Sequence, residues 1–380
     1  FSGEWNKYTI NDLATVVGGG TPDTTVKSYW GGDIQWFTPS EIGKNKYVDF
    51  SKRTITRDGL DNSSAKLLPL HTILLSSRAT VGECSIASNE CTTNQGFQSL
   101  IAKQCNIDFL YYLIQTKKKD LIRNACGSTF LEISANEIRK IKVAVPVQNE
   151  QEQIAKLLSL IDERIATQNK IIEKLQSLIK GLVDELMTVL LKGKLYPFSS
   201  FYIKAGEGGT PTTSVVEYYT EGTIPFIKIE DLSCKYLTNN KDFITELGMQ
   251  KSSAWLIPSK SVIYSNGATI GAISINEYPV CTKQGILGIV PNTNINVEYL
   301  YLLMSSSYFS KEISRIITEG TMKTAYLKDI NHIKCPLPSM AQQKNITNLT
   351  SSIEEKLSIE QELLRFLNLQ KQYLLHMIFI

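Results

Sequence analysis

A chain of 380 residues, 42% apolar and 20% charged, has the balance of a globular protein with enough apolar material for two cores, not that of a disordered or collagen-like one. The net charge of +3 and pI near 8.3 are only mildly basic, so nucleic acid is neither demanded nor excluded and local clustering of cations must decide. No apolar run reaches membrane length and no signal peptide opens the chain, and Phe1 at the start suggests that a few residues precede it.

Seven cysteines are scattered at Cys84, Cys91, Cys105, Cys126, Cys234, Cys281 and Cys335 without a Cys-x-x-Cys pair. This pattern indicates neither a disulfide framework nor a zinc site; reduced, buried thiols point to the cytoplasm.

From Ser2 to Pro146, β-branched and aromatic segments are broken by Gly, Pro, Asn and Ser. Residues 34–37, 72–75 and 97–101 read as strands. A helix is expected over Asp108–Thr116, capped by Asn106 or Asp108 and followed by Lys117, Lys118 and Lys119, and a shorter one over Ser134–Lys140. After Pro146 the texture changes. Asn149 is placed to cap a long helix with Glu152 reaching back. Ile154, Leu158, Ile161, Ile165, Gln168, Ile172, Leu175, Ile179, Leu182, Leu186 and Val189 then alternate by four and three. Such a seam favours a coiled coil over one helix of a globular bundle.

Residues 196–338 repeat the first plan, with Val297–Ser305 as the counterpart helix. Gly19-Gly20-Thr21-Pro22 returns as Gly208-Gly209-Thr210-Pro211, Ala79-Thr80-Val81-Gly82 as Ala268-Thr269-Ile270-Gly271, and Gln95-Gly96 as Gln284-Gly285. A second helix follows Pro338, with Ser339 and Gln342 as a capping box and a seam of Ile346, Thr350, Ile353, Leu357, Glu360, Leu364, Leu367, Lys371, Leu374 and Ile378. A period this long repeats a whole domain with its helix. The expected architecture is α+β: strand-rich domains at 1–146 and 196–338, and long helices at 147–195 and 339–380 pairing as an antiparallel coiled coil with a domain at each end. From Ile154 to Val189 the rise is roughly 50 Å, or roughly 15 base pairs of B-DNA.

No Gly-x-x-x-x-Gly-Lys-[Ser/Thr] loop, methyltransferase Asn-Pro-Pro-[Tyr/Phe] or nucleophile–base set occurs. Gly18-Gly19-Gly20 precedes Pro22 and a polar stretch, so it is a turn and not a dinucleotide cradle; Pro22-Asp23 finds its only acidic-x-Lys partner far off, at Glu354–Lys356. His71, His332 and His376 are isolated. The chain reads as a binder without metal ligands. Polar residues in the repeated loops are its candidate contacts: Thr21, Ser77, Arg78, Thr80, Thr93, Asn94, Gln95, Ser128 and Thr129 in the first domain, and Thr210, Ser265, Asn266, Thr269, Lys283, Gln284, Thr321 and Lys323 in the second. Amides, hydroxyls and cations of this kind hydrogen-bond base edges and phosphates, although Ser, Thr and Asn also serve simply as turn formers. Lys44, Lys46, Lys52, Arg53, Lys228, Lys235 and Lys241 line a phosphate path or a solvated surface.

Together these features resemble one family. Gly-Gly-Thr-Pro near each domain start, Leu-x-Pro before a Ser-x-x-Ala-Thr-hydrophobic-Gly turn, Asn94-Gln95-Gly96, and a closing Ile-Lys-Val run to Pro146 before a long helix are similar to specificity (S) subunits of type I restriction-modification systems. The doubling extends the resemblance over essentially the whole chain. Departures are Ala272 against Glu83, Glu207 against Gly18, and Glu360 and Lys371 in the seam. The resemblance implies a non-catalytic subunit in which each globular half is a target recognition domain for one half of a split, asymmetric site in double-stranded DNA. The helices would set the spacer and dock two methyltransferase (M) subunits, with restriction (R) subunits completing the complex. S-adenosylmethionine, ATP and Mg²⁺ would belong to those partners. Two other readings remain open: the DNA-recognition part of a fused modification-restriction enzyme, and a coiled-coil scaffold or adaptor with no DNA role.

Overall fold

The computed structural model describes residues 4–127, 131–267, 269–317 and 323–379. They form two compact units, 1–169 with 362–380 and 170–361, so each unit holds one strand-rich domain and a stretch of each long helix. Ser128, Thr129 and Thr321, named above as candidate contacts, lie outside the described residues.

In the first unit a five-stranded sheet runs in the order Ala14–Gly18, Gln98–Ala102, Ile73–Leu75, Cys84–Ala87, Tyr47–Val48, antiparallel except for the last pair. A three-stranded sheet orders Arg53–Ile55, Trp30–Phe37 and Cys91–Thr93, the last two parallel. Asn6–Thr9 pairs with Lys142–Val145, bringing the domain's two ends together. The second unit repeats this order: Tyr202–Glu207, Ile286–Pro291, Val262–Ser265, Ile273–Asn276 and Tyr236–Leu237 in the larger sheet. Asp242–Ile244, Ile224–Ile227 and Cys281–Thr282 form the smaller sheet, and Leu195–Pro197 pairs with Lys334–Pro336. The duplication seen in sequence is thus a duplication of strand order and pairing.

Helices form where the sequence places them. Ile107–Thr116 is capped by the Asn106 side chain, Ala135–Lys140 by Ser134, and Val297–Ser305 by Asn296. The first long helix spans Gln148–Leu190 and the second Met340–Ile378. The Ser339–Gln342 capping box is present, with reciprocal bonds of 3.0 and 3.4 Å. The proposed Asn149 cap is corrected. The helix begins one residue earlier, and Gln151 does the tying instead: its carboxamide donates to the Pro146 carbonyl at 2.9 Å and accepts from Asn106 N–H at 3.0 Å. Gln343 is its repeat-equivalent, donating to Pro338 and Asn294 carbonyls and accepting from Asn296 N–H at 2.8 Å. Each buried glutamine therefore secures a long helix to the cap of its domain's own helix.

Seam residues are turned inward along most of both helices. Ile154, Leu158, Ile161 and Ile172 are buried, and so are Ile346, Thr350 and Leu367. Near the end of the first helix the stripe moves: Val189 is 61% exposed while Val183 and Met187 are buried. The shift occurs because this turn packs on the second domain's core, with Phe198, Tyr299 and Phe309, as well as with Ile346. In the first unit Ile154 and Leu158 share a core with Ile73, Leu75, Phe109 and Phe379. There Asp162 of the first helix meets Lys371 of the second at 2.7 Å, while Leu374, Leu375 and Ile378 pack on the core that holds Ile154, as an antiparallel pairing within that unit requires.

Gln343→Ala leaves buried backbone groups without partners and should lower stability by about 1–3 kcal/mol, seen as a lower midpoint in chemical denaturation. Exposed Gln342→Ala should cost less, because only a cap is lost.

Candidate nucleic-acid interface

The Gly-Gly-Thr turn and the Gln-Gly turn of each copy are pressed together at the end of the larger sheet. In the first domain Gly20 N–H donates to Thr93 O at 2.8 Å, and in the second Gly209 N–H donates to Thr282 O at 3.0 Å. Glycine is required here by proximity: a Cβ on Gly19 would stand 2.0 Å from Asn94 O, and one on Gly208 2.1 Å from Thr282 O. Asn94 and Lys283 occupy one site, each donating its N–H at 3.0 Å, to Phe37 O and Ile227 O respectively.

Around this frame the predicted residues of the first domain gather. Thr21 Oγ1 donates to the Gln95 side-chain oxygen. Ser77 N–H bonds Gly96 O at 2.8 Å, setting Arg78 and Ala79 beside Asn94, Gln95 and Pro39 around a shallow pocket of about 310 Å³. Ala79 holds φ +64, a left-handed backbone that turns the chain sharply at this rim. Its N–H donates to Leu131 O and Ile133 N–H to Ser77 O, so the segment after residue 130 returns to the same edge. Arg78 is about half exposed and pairs with Glu132 at 3.9 Å, and Thr80 is exposed beside it.

The second domain assembles the matching residues differently. Thr210 Oγ1 accepts from the Gln284 N–H at 3.3 Å, which leaves the Gln284 side chain outward. Asn266 N–H donates to Gly285 O at 3.0 Å, and its amide nitrogen donates to Ala325 O at 3.1 Å. This tie brings exposed Lys323 toward the same edge, where Thr269 and Lys283 are also exposed.

Several expected contacts are corrected by burial. Ser77, Thr93, Ser265 and Asn266 are at most 1% exposed, so their side chains lie beneath the loop surface and do not present to a ligand. Lys46 is paired with Asp108 at 2.7 Å and donates to Ser159 on the long helix at 2.7 Å, with 11% of its side chain exposed. It fastens the domain to its helix. Lys235 repeats the role with Glu298 at 2.6 Å and Glu354 at 2.5 Å; burial alone would lower its pKa, but the two carboxylates outweigh that and raise it. Arg53 is exposed, but its guanidinium is stacked on the Trp30 ring at 3.6 Å. Lys228 is held by Asp242 at 2.8 Å, whose hydrogen bond raises the lysine pKa, while Lys44 remains exposed. No local sequence signal distinguished these engaged cations from free ones, because their partners are not near neighbours in the chain.

Gly19→Ala should force backbone apart and lower stability by about 1–3 kcal/mol or more, a drop in thermal midpoint that Gly181→Ala, in open space on the first long helix, should not show.

Comparison with known proteins accords with this doubled frame. The family model for the type I restriction modification DNA specificity domain matches residues 2–177 and 201–368. The MjaIX type I restriction enzyme specificity subunit of Methanocaldococcus jannaschii is 29% identical over 382 residues, covering 93% of this chain and 88% of that one. The fold is also that of the type I S subunit from M. genitalium, at TM-score 0.57 and 19% identity over 100% of this chain and 97% of the other. A chain from a structure of type I restriction-modification complex assembly gives TM-score 0.62 at 14% identity, over 98% and 97%. With both copies of the domain matched and both carrying the same loop frame, this chain belongs to the DNA specificity subunits of type I restriction-modification systems.

Proposed function

We propose that each globular domain reads one half of a bipartite, asymmetric DNA site, and that the long helices set the distance between the halves and dock methyltransferase subunits. One observation carries this reading. The two loop frames share their backbone bonds, at Gly20 and Gly209 and at Asn94 and Lys283, while the residues set on them differ: Gly267 stands at the position of Arg78, and Lys283 at that of Asn94. A constant frame with exchanged side chains suits two readers of one groove facing different bases.

The helices suit the second part. Gln148–Leu190 is continuous over 43 residues, a rise of about 65 Å. On the second helix Leu363, Phe366, Leu369, Tyr373 and Met377 are 40–62% exposed at spacings of three and four, beside the buried seam. A stripe of this kind offers an apolar face to partner helices. Two methyltransferase subunits and the restriction subunits would complete the complex on double-stranded DNA and hold S-adenosylmethionine, ATP and Mg²⁺. This subunit contributes recognition.

Replacing 196–338 with the corresponding domain of a related subunit should change one half-site only, as read by methylation sequencing of DNA modified by the complex. Four residues inserted near Gly181 add about 6 Å and should lengthen the spacer by about two base pairs with both half-sites kept. Arg78→Ala should weaken binding or relax one position of the first half-site by about 1–3 kcal/mol in titrations with specific DNA. A site that is not bipartite, or one unchanged by the domain replacement, contradicts the proposal.

A further inference from the structure

The Gln-Gly turn poses the same local problem in both domains and receives two solutions. The N–H of its glycine needs an acceptor. In the first domain the turn supplies its own: Asn94 Oδ1 accepts from Gly96 N–H at 2.9 Å. In the second domain Lys283 stands at that site, and a lysine side chain has no acceptor. Gly285 N–H donates instead to Glu207 Oε1 at 2.7 Å. Glu207 occupies the strand position of Gly18: Gly18 pairs with Gln98, and Glu207 with Leu287. The two differences are therefore one coupled exchange, Gly18 and Asn94 for Glu207 and Lys283.

The exchange leaves charge unchanged, since one carboxylate and one ammonium replace two neutral residues. It does not add to the domain's general attraction for phosphate. What it changes is the pattern presented at one spot. Asn94 turns its oxygen inward to hold the turn, whereas Lys283 is exposed and among the described residues makes no ion pair. Support from outside the turn has released this position for recognition.

We infer that Glu207 and Lys283 together determine one base of the half-site read by the second domain, with Lys283 donating to the O6 and N7 acceptors of a guanine and Glu207 acting as the positioning residue that holds its turn. A guanine presents two adjacent acceptors in the major groove, which suits a lone ammonium donor. The inference rests on the reading of the two domains as half-site readers.

The test uses the complete complex with its methyltransferase partner, methylation sequencing, and binding titrations over a range of salt. The parent must first give a bipartite site; if it does not, the half-site reading itself fails, and this inference with it. Given that site, Lys283→Ala should lose about tenfold in discrimination at one guanine of the second half-site, with the salt slope unchanged. Glu207→Ala should relax the same position, and Glu207→Gln, which keeps an acceptor for Gly285 N–H, should stay near the parent. The double variant E207G/K283N restores the self-supporting turn of the first domain and should fold, keep the first half-site, and lose the guanine preference. A uniform loss across sequences with the salt slope reduced by about one would make Lys283 a phosphate contact and overturn the assignment. So would effects of Glu207→Ala and Lys283→Ala at different positions, or a double variant that retains the guanine.

Discussion

In both units the apolar side of the larger sheet is closed by side chains from the long helices. Ile154 and Leu158 complete the core built on Ile73, Leu75, Leu100 and Phe109, and Val183 and Met187 complete that built on Val262, Tyr264, Leu287 and Tyr299. A sheet of short strands with one uncovered face would leave that surface in water, and burying it is what orders the helix ends against the domains. The rest of the molecule depends on this closure. A domain whose core includes its helix cannot pivot freely on it, a stiffness that suits the spacing role proposed for the helices.

Polar contacts refine what the apolar closure begins. Lys46 with Asp108, and Lys235 with Glu298, stand at equivalent sites, accompanied by Tyr47 and Tyr236, each donating to the same carboxylate at 2.7 Å. Lys46 also reaches Ser159 and Lys235 reaches Glu354, so each cation touches a long helix. Half-buried pairs of this kind add little net stability because desolvation offsets much of the attraction, but breaking one leaves an uncompensated charge. Their effect is to specify one seating of domain on helix where apolar packing alone tolerates several. Gln151 and Gln343 do the same at the helix starts.

The loop ends of the sheets show a different economy of design. Backbone bonds hold the Gly-Gly-Thr and Gln-Gly turns in one arrangement in both domains, and steric limits at Gly19 and Gly208 leave no room for variation. Side chains above that frame vary, and some variation is linked, as between Glu207 and Lys283. Under the proposed function, recognition can change by substitution there because the frame is held by backbone bonds and close glycine contacts.

The sequence by itself determined the doubling, the capped and long helices, and most of both seams. Each of these depends on near neighbours in the chain: periodicity of three and four, caps such as Asn106 and Asn296, and turn glycines. The family resemblance followed from the same local motifs at repeated spacing. Tertiary structure alone decided which polar residues stand free. Lys46, Arg53 and Lys235 had the composition of phosphate contacts but are engaged with Asp108, Trp30 and Glu354, and Ser77 and Thr93 lie beneath the loops they were expected to crown. The move of the seam from Val189 to Val183 and Met187 was likewise decided by Phe198 and Tyr299 of the following domain. The reason is physical: whether a cation or hydroxyl faces solvent depends on partners tens to more than a hundred residues away, and no local pattern records them.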